Sequence, residues 1–365
     1  MSTWPEPDAC LLEALAGLRE QTGELDDMSA WPSESLRVLG EAGVLGWLIP
    51  RDHGGGGCSG SALIEGYLNL ARVCLPTTFV LTQRNAACQR LALSDNESLK
   101  RHLLPVLTTS ERFATVGISH LTTSRQHLAR PMVSVEIVDG GFRLDGVVPW
   151  VTGAAFADWV LLGGTCADGR QILVTLPMDS EGVTVLKAEP LLSLDASQTA
   201  SIRLDSVRVD QTHLVAGPVE AVMHSGGRGG TGSLGTSALA VGAGAASLDG
   251  LAQETQRRPE LQEIFQSLVS EQDAIVADML AAAGEQVDSA DPVFSNESLR
   301  QRSNSFVLRA SQAYLTATKG AGFTSTHGAS RAVREAMFFL VWSCPQVVVE
   351  AQLREFAGVV DGPNC

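Results

Sequence analysis

The spacing of apolar positions changes twice along the chain. From about residue 8 to 108, apolar side chains recur at helical intervals, which predicts a helical region. From about 111 to 213 the period becomes that of short strands. After about 215 the helical period returns, with four long helices expected at 236–256, 260–286, 296–319 and 328–342. The chain is therefore ordered as helices, a β unit and helices again.

These changes define three predicted domains in an α+β multidomain protein. They are an N-terminal helical domain (1–110), a central antiparallel β-barrel or sandwich domain (111–214) and a C-terminal four-helix bundle (215–365). The strand segments have no helices between them, which favours a barrel or sandwich over a Rossmann sheet. Those segments read MVSVEIV, FRLDGVV, DWVLLGG, RQILVTL, GVTVL and ASIRLDSVRV.

The helical regions carry recognisable start and stop signals. The expected N-terminal helices read ACLLEALAGLREQ, SESLRVLGEAG, SALIEGYLNLARVC and ESLKRHLLPVL. Pro76 and the glycines at 54–57 mark breaks between them. Two NES triplets place capping oxygens, among them those of Asn96 and Ser295, before helices that begin near Glu97 and after Asn296.

Composition narrows the class of protein. Of the 365 residues 44% are hydrophobic and 18% charged, which is typical of a folded globular chain. The charge balance is 26 − 41 = −15, which disfavours nucleic acids and anionic membranes as partners. No apolar stretch approaches the roughly 18 residues of a membrane span, and the acidic N-terminus has no signal-peptide pattern. We expect a cytoplasmic protein.

Cysteine and histidine spacing argues against a metal centre. The seven cysteines are scattered and none is spaced as CxxC, so they predict neither a disulfide framework nor a zinc site. The seven histidines do not cluster at ligand spacing, and HExxH is absent. We expect no bound metal.

The segment GTGSLG matches the dinucleotide fingerprint GxGxxG through Gly230, Gly232 and Gly235, with Asp249 about where a ribose-binding acid is expected. That fingerprint requires a buried parallel strand before the glycines, and HLVAGPVEAVMHSGG is a poor strand. We interpret the segment as a glycine-rich entry to a long helix, with nicotinamide binding as the alternative.

Three longer segments resemble the acyl-CoA dehydrogenase family and occur in that family's order. GVLGWLIPRDHGGGG is similar to "GllglxxPeexGGxG", GVVPWVTGAAFADWVLL to "GxKxWITNAxxADxxxv", and KGAGFTSTHGASRAVREA to "GGxGYxxexpvxRxxRDA". IRLDSVRV is similar to the strand "vxFdxVxVP". The resemblance covers nearly the whole chain and implies the acyl-CoA dehydrogenase fold.

The resemblance also implies partners. These are FAD as cofactor, an acyl-CoA or acyl-carrier thioester as substrate, an electron-transfer partner, and self-association through the bundle as a homo-dimer or tetramer. In the family, the residues at Trp150 and Thr152 flank the flavin ring. The family's "TExxxGS" reads SHLTTS here, with Ser119 and Ser124 in place of the threonine and serine and His120 in place of the glutamate.

The family's contacts to the rest of the cofactor map onto the C-terminal helices. Gly320 and Gly322 correspond to its glycine loop, where Lys319 replaces the first glycine. The element "RxxFGxxxxxxQ" is reduced to RRPELQEIFQ, in which Arg258 is retained and Leu261 replaces the phenylalanine. These departures leave retention of the flavin open.

The catalytic glutamate of the resembling enzymes falls on Ser343. A serine is neutral at pH 7 and does not replace a carboxylate base. The glutamate position used by other members falls at about Gly232. Cys344 is the neighbouring nucleophile, and we expect Glu335 and Glu350, two turns away on either side, to face solvent.

The sequence therefore predicts a flavin-dependent oxidoreductase acting on an acyl thioester or a related carbonyl compound, without the usual base. A flavin monooxygenase on the same fold is one alternative, because it needs no α-proton base. A scaffold or partner subunit that lacks FAD is another.

Overall fold

The computed structural model describes residues 4–22, 30–122, 131–224, 233–285, 287 and 291–359. The α-helices in these ranges are α1 (Ala9–Thr22), α2 (Ser33–Glu41), α3 (Gly60–Val73), α4 (Leu75–Ala92), α5 (Glu97–Leu103), α6 (Ser119–Thr122), α7 (Leu234–Arg257), α8 (Gln262–Ala283), α9 (Asn296–Gly322), α10 (Gly328–Phe338) and α11 (Gln346–Phe356). The strands are β1 (Ala114–Gly117), β2 (Val133–Val138), β3 (Gly141–Val151), β4 (Trp159–Cys166), β5 (Gln171–Pro177), β6 (Val183–Val185), β7 (Ala200–Asp210) and β8 (Leu214–Val219).

The chain forms two compact units. The sheet unit comprises residues 9–59 and 79–230, and the bundle unit comprises residues 1–8, 60–78 and 231–365. The bundle unit thus takes α3 from the N-terminal region together with the C-terminal helices. The predicted three-domain boundaries at 110 and 214 stay a prediction.

The sheet unit is built on one mixed sheet with strand order β6-β7-β3-β2-β4-β5-β8, and β1 lies beside β4. Strands β1 and β2 run parallel to β4, whereas the other pairs are antiparallel. The prediction of an antiparallel β domain is thus correct for most strand pairs of the described sheet and wrong for these two, which make the sheet mixed. The hairpin pattern was correct for neighbours such as β2 and β3, but sequence alternation does not report the two parallel pairings.

Strands β4 and β5 are buried on both faces of the sheet. Val160 and Leu162 of β4 belong to a hydrophobic core formed by strand residues. Leu161 lies on the opposite face of the sheet and packs with Leu91 of α4 and Leu103 of α5. Successive side chains of a strand point to opposite faces, so both sets must be apolar. This explains why DWVLLGG and RQILVTL read as continuous apolar runs.

Elements that the sequence analysis missed include β1, β8 and α4. All four residues of β1 are buried, so it shows no alternation. HLVAGPV was judged a poor strand, yet β8 pairs with the edge of β5. Helix α4 is buried on most sides and has almost no polar stripe, and Pro76 lies in its first turn, where a proline is tolerated.

All eight predicted helices have a counterpart in the structure, and the eleven-residue helix α11 follows them. The bundle unit centres on α7, whose small residues allow close neighbours. A Cβ added at Gly242 would lie 2.7 Å from the backbone oxygen of Leu68 on α3, and one at Gly244 would lie 2.3 Å from the Phe306 ring of α9. Helix α10 ends at Phe338, earlier than predicted, and a turn leads from there to α11.

Both predicted capping triplets are confirmed. The Asn96 side-chain oxygen accepts from the Leu99 amide at 3.1 Å, and the Ser295 hydroxyl oxygen accepts from the Ser298 amide at 3.1 Å. Each oxygen satisfies a donor that the first turn of a helix leaves unpaired.

The glycine fingerprint lacks the context that dinucleotide binding requires. Gly230 and Gly232 lie outside the described residues, and Gly235 lies in the first turn of α7. Asp249 is on the same helix and pairs with Arg72 at 2.6 Å. The preceding strand, β8, is an antiparallel edge strand, not a parallel one.

No helix in the described part of the chain is long and apolar enough to cross a membrane. Within the same residues, no group of three or more His, Cys, Asp or Glu side chains is arranged to hold a metal ion.

Candidate functional site

Trp150 is the next-to-last residue of the long strand β3 and has an unusual backbone conformation. Its φ is +58°, which is uncommon for a residue with a side chain, and 52% of its surface is exposed. A bulky residue is held in such a conformation only where the surrounding structure over-determines it. The strand end therefore presents an accessible indole face.

Thr152, two residues further on, is buried and faces the interior of the sheet unit. Its hydroxyl oxygen lies 3.4 Å from that of Thr199, which in turn lies 2.8 Å from the Ser197 hydroxyl. All three residues are less than a tenth exposed. The next residue, Gly153, has φ +64°, and a Cβ there would lie 2.5 Å from the Trp31 ring, so only glycine fits.

The segment SHLTTS begins beside the same strand end. Ser119 donates from its hydroxyl to the Pro149 carbonyl at 3.1 Å, which places it one residue from Trp150. The structure thus brings Ser119, Trp150 and Thr152 together in the sheet unit. The predicted contact residue Ser124 lies outside the described residues.

His120, which stands at the family's glutamate position, is buried and turned inward. Its Nε2 lies 2.9 Å from the Gly163 carbonyl, so Nε2 carries the hydrogen. Burial lowers the pKa of His120, outweighing the bond to Gly163, which acts in the opposite direction. The imidazole is neutral at pH 7 and does not supply the charge of a glutamate.

In the bundle unit, Arg258 and the end of α9 lie together. Arg258 follows the last residue of α7, and its Nη2 pairs with Glu254 at 2.9 Å and donates to the Ala317 carbonyl. Part of its charge is therefore already compensated by Glu254.

The glycine loop follows a break in α9 at Lys319, whose φ of +56° and ψ of −144° are not helical. A turn begins there, closed by the Phe323 amide donating to the Gly320 carbonyl at 3.2 Å. A Cβ added at Gly320 would have nothing within 4 Å, whereas one at Gly322 would lie 1.9 Å from the Thr318 hydroxyl oxygen. Gly320 borders open space and Gly322 packs on its own helix.

Ser343 lies in the turn between α10 and α11, and it too has a positive φ, of +47°. The turn is held from α9. Arg300 Nη2 donates to the carbonyls of Phe339 at 3.1 Å and Trp342 at 2.9 Å, and Asn304 donates to the Phe339 carbonyl at 3.1 Å. The buried side chains of Arg300 and Asn304 therefore fix the backbone conformation of the turn that leads to Ser343.

Arg300 is fully buried, and burial lowers its pKa to about 10, so it stays charged at pH 7. Burial also raises the pKa of the neighbouring Cys344 thiol, although the Arg300 charge and the side chain of Asn304 act against this. Cys344 is therefore a neutral thiol at pH 7, which favours neither a base nor a thiolate nucleophile there.

Two glutamates near Ser343, Glu335 and Glu350, were expected to face solvent, and only one of them does. Glu335 was predicted to face solvent, but it is 8% exposed and accepts from Arg331 Nε at 2.7 Å. That prediction was wrong because Glu335 lies on the buried side of a short amphipathic helix, where an arginine one turn earlier pairs with it. Glu350 is exposed, as expected, and accepts from Gln346 at 3.1 Å.

Sequence reasoning missed the residues that support the site. Arg300 and Asn304 are four apart, hence on one face of α9, and both are fully buried on that helix. Polar residues at core positions of a helix were the available signal. Ser197 and Thr199 precede β7 and gave no comparable pattern.

Comparisons with known proteins agree with the resemblance found in the sequence. Residues 16–111 match the family described as "Acyl-CoA dehydrogenase, N-terminal domain". The chain is 23% identical to the probable acyl-CoA dehydrogenase YngJ of Bacillus subtilis over 346 residues, covering 87% of this chain and 86% of that protein. It is 26% identical to the oxygenase subunit HsaA of a flavin-dependent monooxygenase of Mycobacterium tuberculosis over 165 residues, covering 45% of this chain and 38% of HsaA.

Nearly the whole chain shares its fold with solved structures. The structure of glutaryl-coenzyme A dehydrogenase in complex with glutaryl-CoA superposes with a TM-score of 0.80 at 18% identity, covering 98% of this chain and 97% of that one. At this identity the likeness shows the fold alone. The resemblance to the family that the sequence motifs indicated, and the predicted fold, are thus confirmed.

Proposed function

We propose that this chain, a relative of the acyl-CoA dehydrogenases by its N-terminal domain and its fold, is a flavin-dependent oxidoreductase that acts on an acyl thioester or a related carbonyl compound. The observation that carries the proposal is Trp150, an indole held half exposed at a strained strand end beside Thr152. The relatives named above, two dehydrogenases and a flavin-dependent monooxygenase subunit, support the same class of chemistry.

Each unit, taken by itself, offers residues of a kind that flavin sites use. Trp150 offers a flat apolar surface for the ring, and Thr152 a hydroxyl donor for its polar edge. Gly320, which borders open space, allows a ligand to approach the backbone closely, and Arg258 supplies a cation for a phosphate. A bound flavin supplies hydride transfer or, when reduced, oxygen chemistry.

The proton chemistry of this chain differs from that of a dehydrogenase with a glutamate base. We assign the base position to Ser343, whose hydroxyl is neutral at pH 7. A positioned general base contributes roughly 10² to 10⁴ in rate, so α,β-dehydrogenation without one is slow. The chain's own residues bind and orient the substrate but do not remove its α-proton efficiently.

A monooxygenase is the second candidate, and Ser343 is the observation that favours it. Insertion of oxygen does not require removal of an α-proton by a carboxylate. The similarity to the HsaA subunit points in the same direction.

The test starts from the purified full-length chain and its visible spectrum, followed by titration with free FAD and FMN. A yellow protein whose 450 nm band is bleached by members of an acyl-CoA panel supports the dehydrogenase. Oxygen consumption that depends on NADH and a separate flavin reductase supports the monooxygenase. A chain that stays colourless and takes up neither flavin contradicts both and favours the non-catalytic partner subunit.

A further inference from the structure

Helix α10 begins with an unusual cap. Its N-cap residue is His327, with an extended backbone (φ −77°, ψ 140°), and the imidazole Nδ1 accepts from the Ala329 amide at 3.0 Å. The usual N-cap residues are Ser, Thr, Asp and Asn, whose side-chain oxygens stay acceptors throughout the physiological pH range. The acceptor at α10 is instead a nitrogen whose lone pair can take up a proton.

The bond from the Ala329 amide exists only while the imidazole is neutral. In that state Nδ1 accepts and the single ring hydrogen is on Nε2, whereas in the imidazolium both nitrogens are donors. An ordinary histidine changes its charge between about pH 5 and 8. The His327 ring is partly exposed, so it exchanges protons with the solvent. Acidification therefore removes the cap.

Loss of the cap is costly for two reasons. Ala329 is 0% exposed, so water does not replace the lost acceptor unless the first turn of α10 moves. A protonated ring also places a positive charge at the positive end of the helix dipole. The first turn has no acidic residue, and Arg331, which pairs with Glu335, adds a cation one turn further on. Both effects favour opening of this turn in acid.

The other charged and titratable groups around His327 do not reverse this tendency. From α9, the Tyr314 ring lies 6.1 Å from the imidazole, and burial raises the pKa of Tyr314, so its hydroxyl is neutral at pH 7. From α7, Glu254 acts on Tyr314, but its carboxylate pairs with Arg258 at 2.9 Å. On α10 itself, Arg334 is a further cation. The turn at 323–326 carries no charged side chain.

The cap joins α10 to the turn that follows the glycine loop. The His327 amide donates to the Thr324 carbonyl at 3.1 Å, and the Arg331 amide donates to the His327 carbonyl at 3.1 Å. Along the chain, this junction lies between Gly320 and the turn that carries Ser343. Opening of the first turn of α10 therefore releases the segment between two candidate site positions.

We propose that His327 is a pH-sensitive helix cap, whose protonation opens the first turn of α10 while the rest of the bundle unit stays folded. The device is conformational, and the proton is its only ligand. It goes beyond the proposed function and does not depend on it, because neither flavin nor substrate takes part.

Amide hydrogen exchange of the full-length chain at pH 7.5 and 5.5, followed by mass spectrometry on overlapping peptides, measures the opening. Each rate is divided by the intrinsic rate at the same pH, so that protection factors are compared. His327→Asn replaces the ring by a capping oxygen that does not titrate, and His327→Ala removes the acceptor. The Ser298 amide, capped by the Ser295 hydroxyl oxygen in the same unit, is the internal control.

In the wild-type chain we expect the protection of the Ala329 amide to fall about fivefold between pH 7.5 and 5.5, the size expected for losing one cap. The protection of Ser298 should stay constant. His327→Asn should keep Ala329 protected at both pH values, and His327→Ala should leave it poorly protected at both. If His327→Ala does not fold, the comparison of His327→Asn with wild type decides.

An equal fall in protection at Ser298 would indicate general loosening in acid and overturns the inference. A fall at Ala329 in His327→Asn as large as in wild type overturns it as well, and so does wild-type protection that does not change with pH. None of these outcomes involves flavin binding, so the proposed function is tested separately.

Discussion

Arg300, in the interior of the bundle unit, donates to the carbonyl oxygen of Trp342 at 2.9 Å. The same Nη2 reaches the Phe339 carbonyl, so one buried cation holds both ends of the turn that leads to Ser343. This relationship gives the turn a defined conformation even though its central residues lie in neither a helix nor a strand. The position assigned to the base is therefore fixed by the core and not by the surface.

Replacing Arg300 by methionine should destabilise the chain. The change removes both hydrogen bonds to the turn, while the loss of a buried charge offsets part of the cost, so we expect a net decrease of about 1–3 kcal/mol in the free energy of unfolding. Urea unfolding followed by circular dichroism measures it. Arg309→Met, on the same helix, is the control, because Arg309 pairs with Glu271 at the exposed surface and should cost less than about 1 kcal/mol. Equal effects of the two changes would contradict a special role for Arg300.

The Arg300 charge should also be visible in the chemistry of Cys344. A positive charge favours the thiolate, so its removal in Arg300→Met raises the pKa of Cys344 above its already raised value. The rate of alkylation by iodoacetamide, followed by peptide mass spectrometry between pH 7 and 10, should then rise at higher pH in the variant. Cys344→Ser identifies the peptide, and the exposed Cys10 is the internal reference. An identical pH profile in wild type and variant would show that the two groups do not interact.

His120 should make the chain less stable in acid. Its folded-state pKa is lowered below the ordinary value of 6.5, so the unfolded chain binds the proton more readily, and stability falls as the pH drops below about 6.5. Burial lowers the pKa of His213 as well, which adds to the same trend. His120→Gln should reduce the decrease in melting temperature between pH 7 and 5, whereas His224→Gln should not. A pH dependence that survives His120→Gln unchanged would remove this residue as its source.

The Ser343 assignment can be tested by restoring the carboxylate. In a chain that binds flavin, Ser343→Glu should create or raise acyl-CoA dehydrogenase activity by roughly 10² to 10⁴. Bleaching of the flavin by an acyl-CoA in a stopped-flow instrument measures the step directly. Val341→Glu puts the same charge on an exposed residue of the same turn and should have no effect. No gain in a folded, yellow Ser343→Glu variant would count against the placement of the base.

The sequence was most informative where one face of an element is polar. Helix α2 and strand β2 show clear periods and were predicted correctly. Helix α4 and strand β1 were missed because both are buried nearly all round, which removes the alternation. The two parallel strand pairs involve residues some 30 to 45 positions apart, and no local pattern encodes them.

The site was predictable to the extent that it lies in family motifs. Trp150, Thr152 and Ser343 were located by resemblance, but their environments were not. The contact between the Thr152 and Thr199 hydroxyl groups depends on packing between segments that are distant in sequence. The burial of Glu335 beside Arg331 depends on the orientation of a whole helix. Neither the long-range packing nor the orientation of the helix can be read from the type of a single residue.

The discontinuous bundle unit has a consequence for synthesis on the ribosome. Helix α3 ends at Val73, and its close partner on α7 is Gly242, so about 170 residues must be made before the two can pack. At about 5–20 residues per second this takes roughly 8 to 35 s. During that interval the apolar face of α3, which includes Ile64 and Leu68, has not met its partner on α7. The nascent chain should therefore be most exposed to chaperone binding before translation reaches the middle of α7.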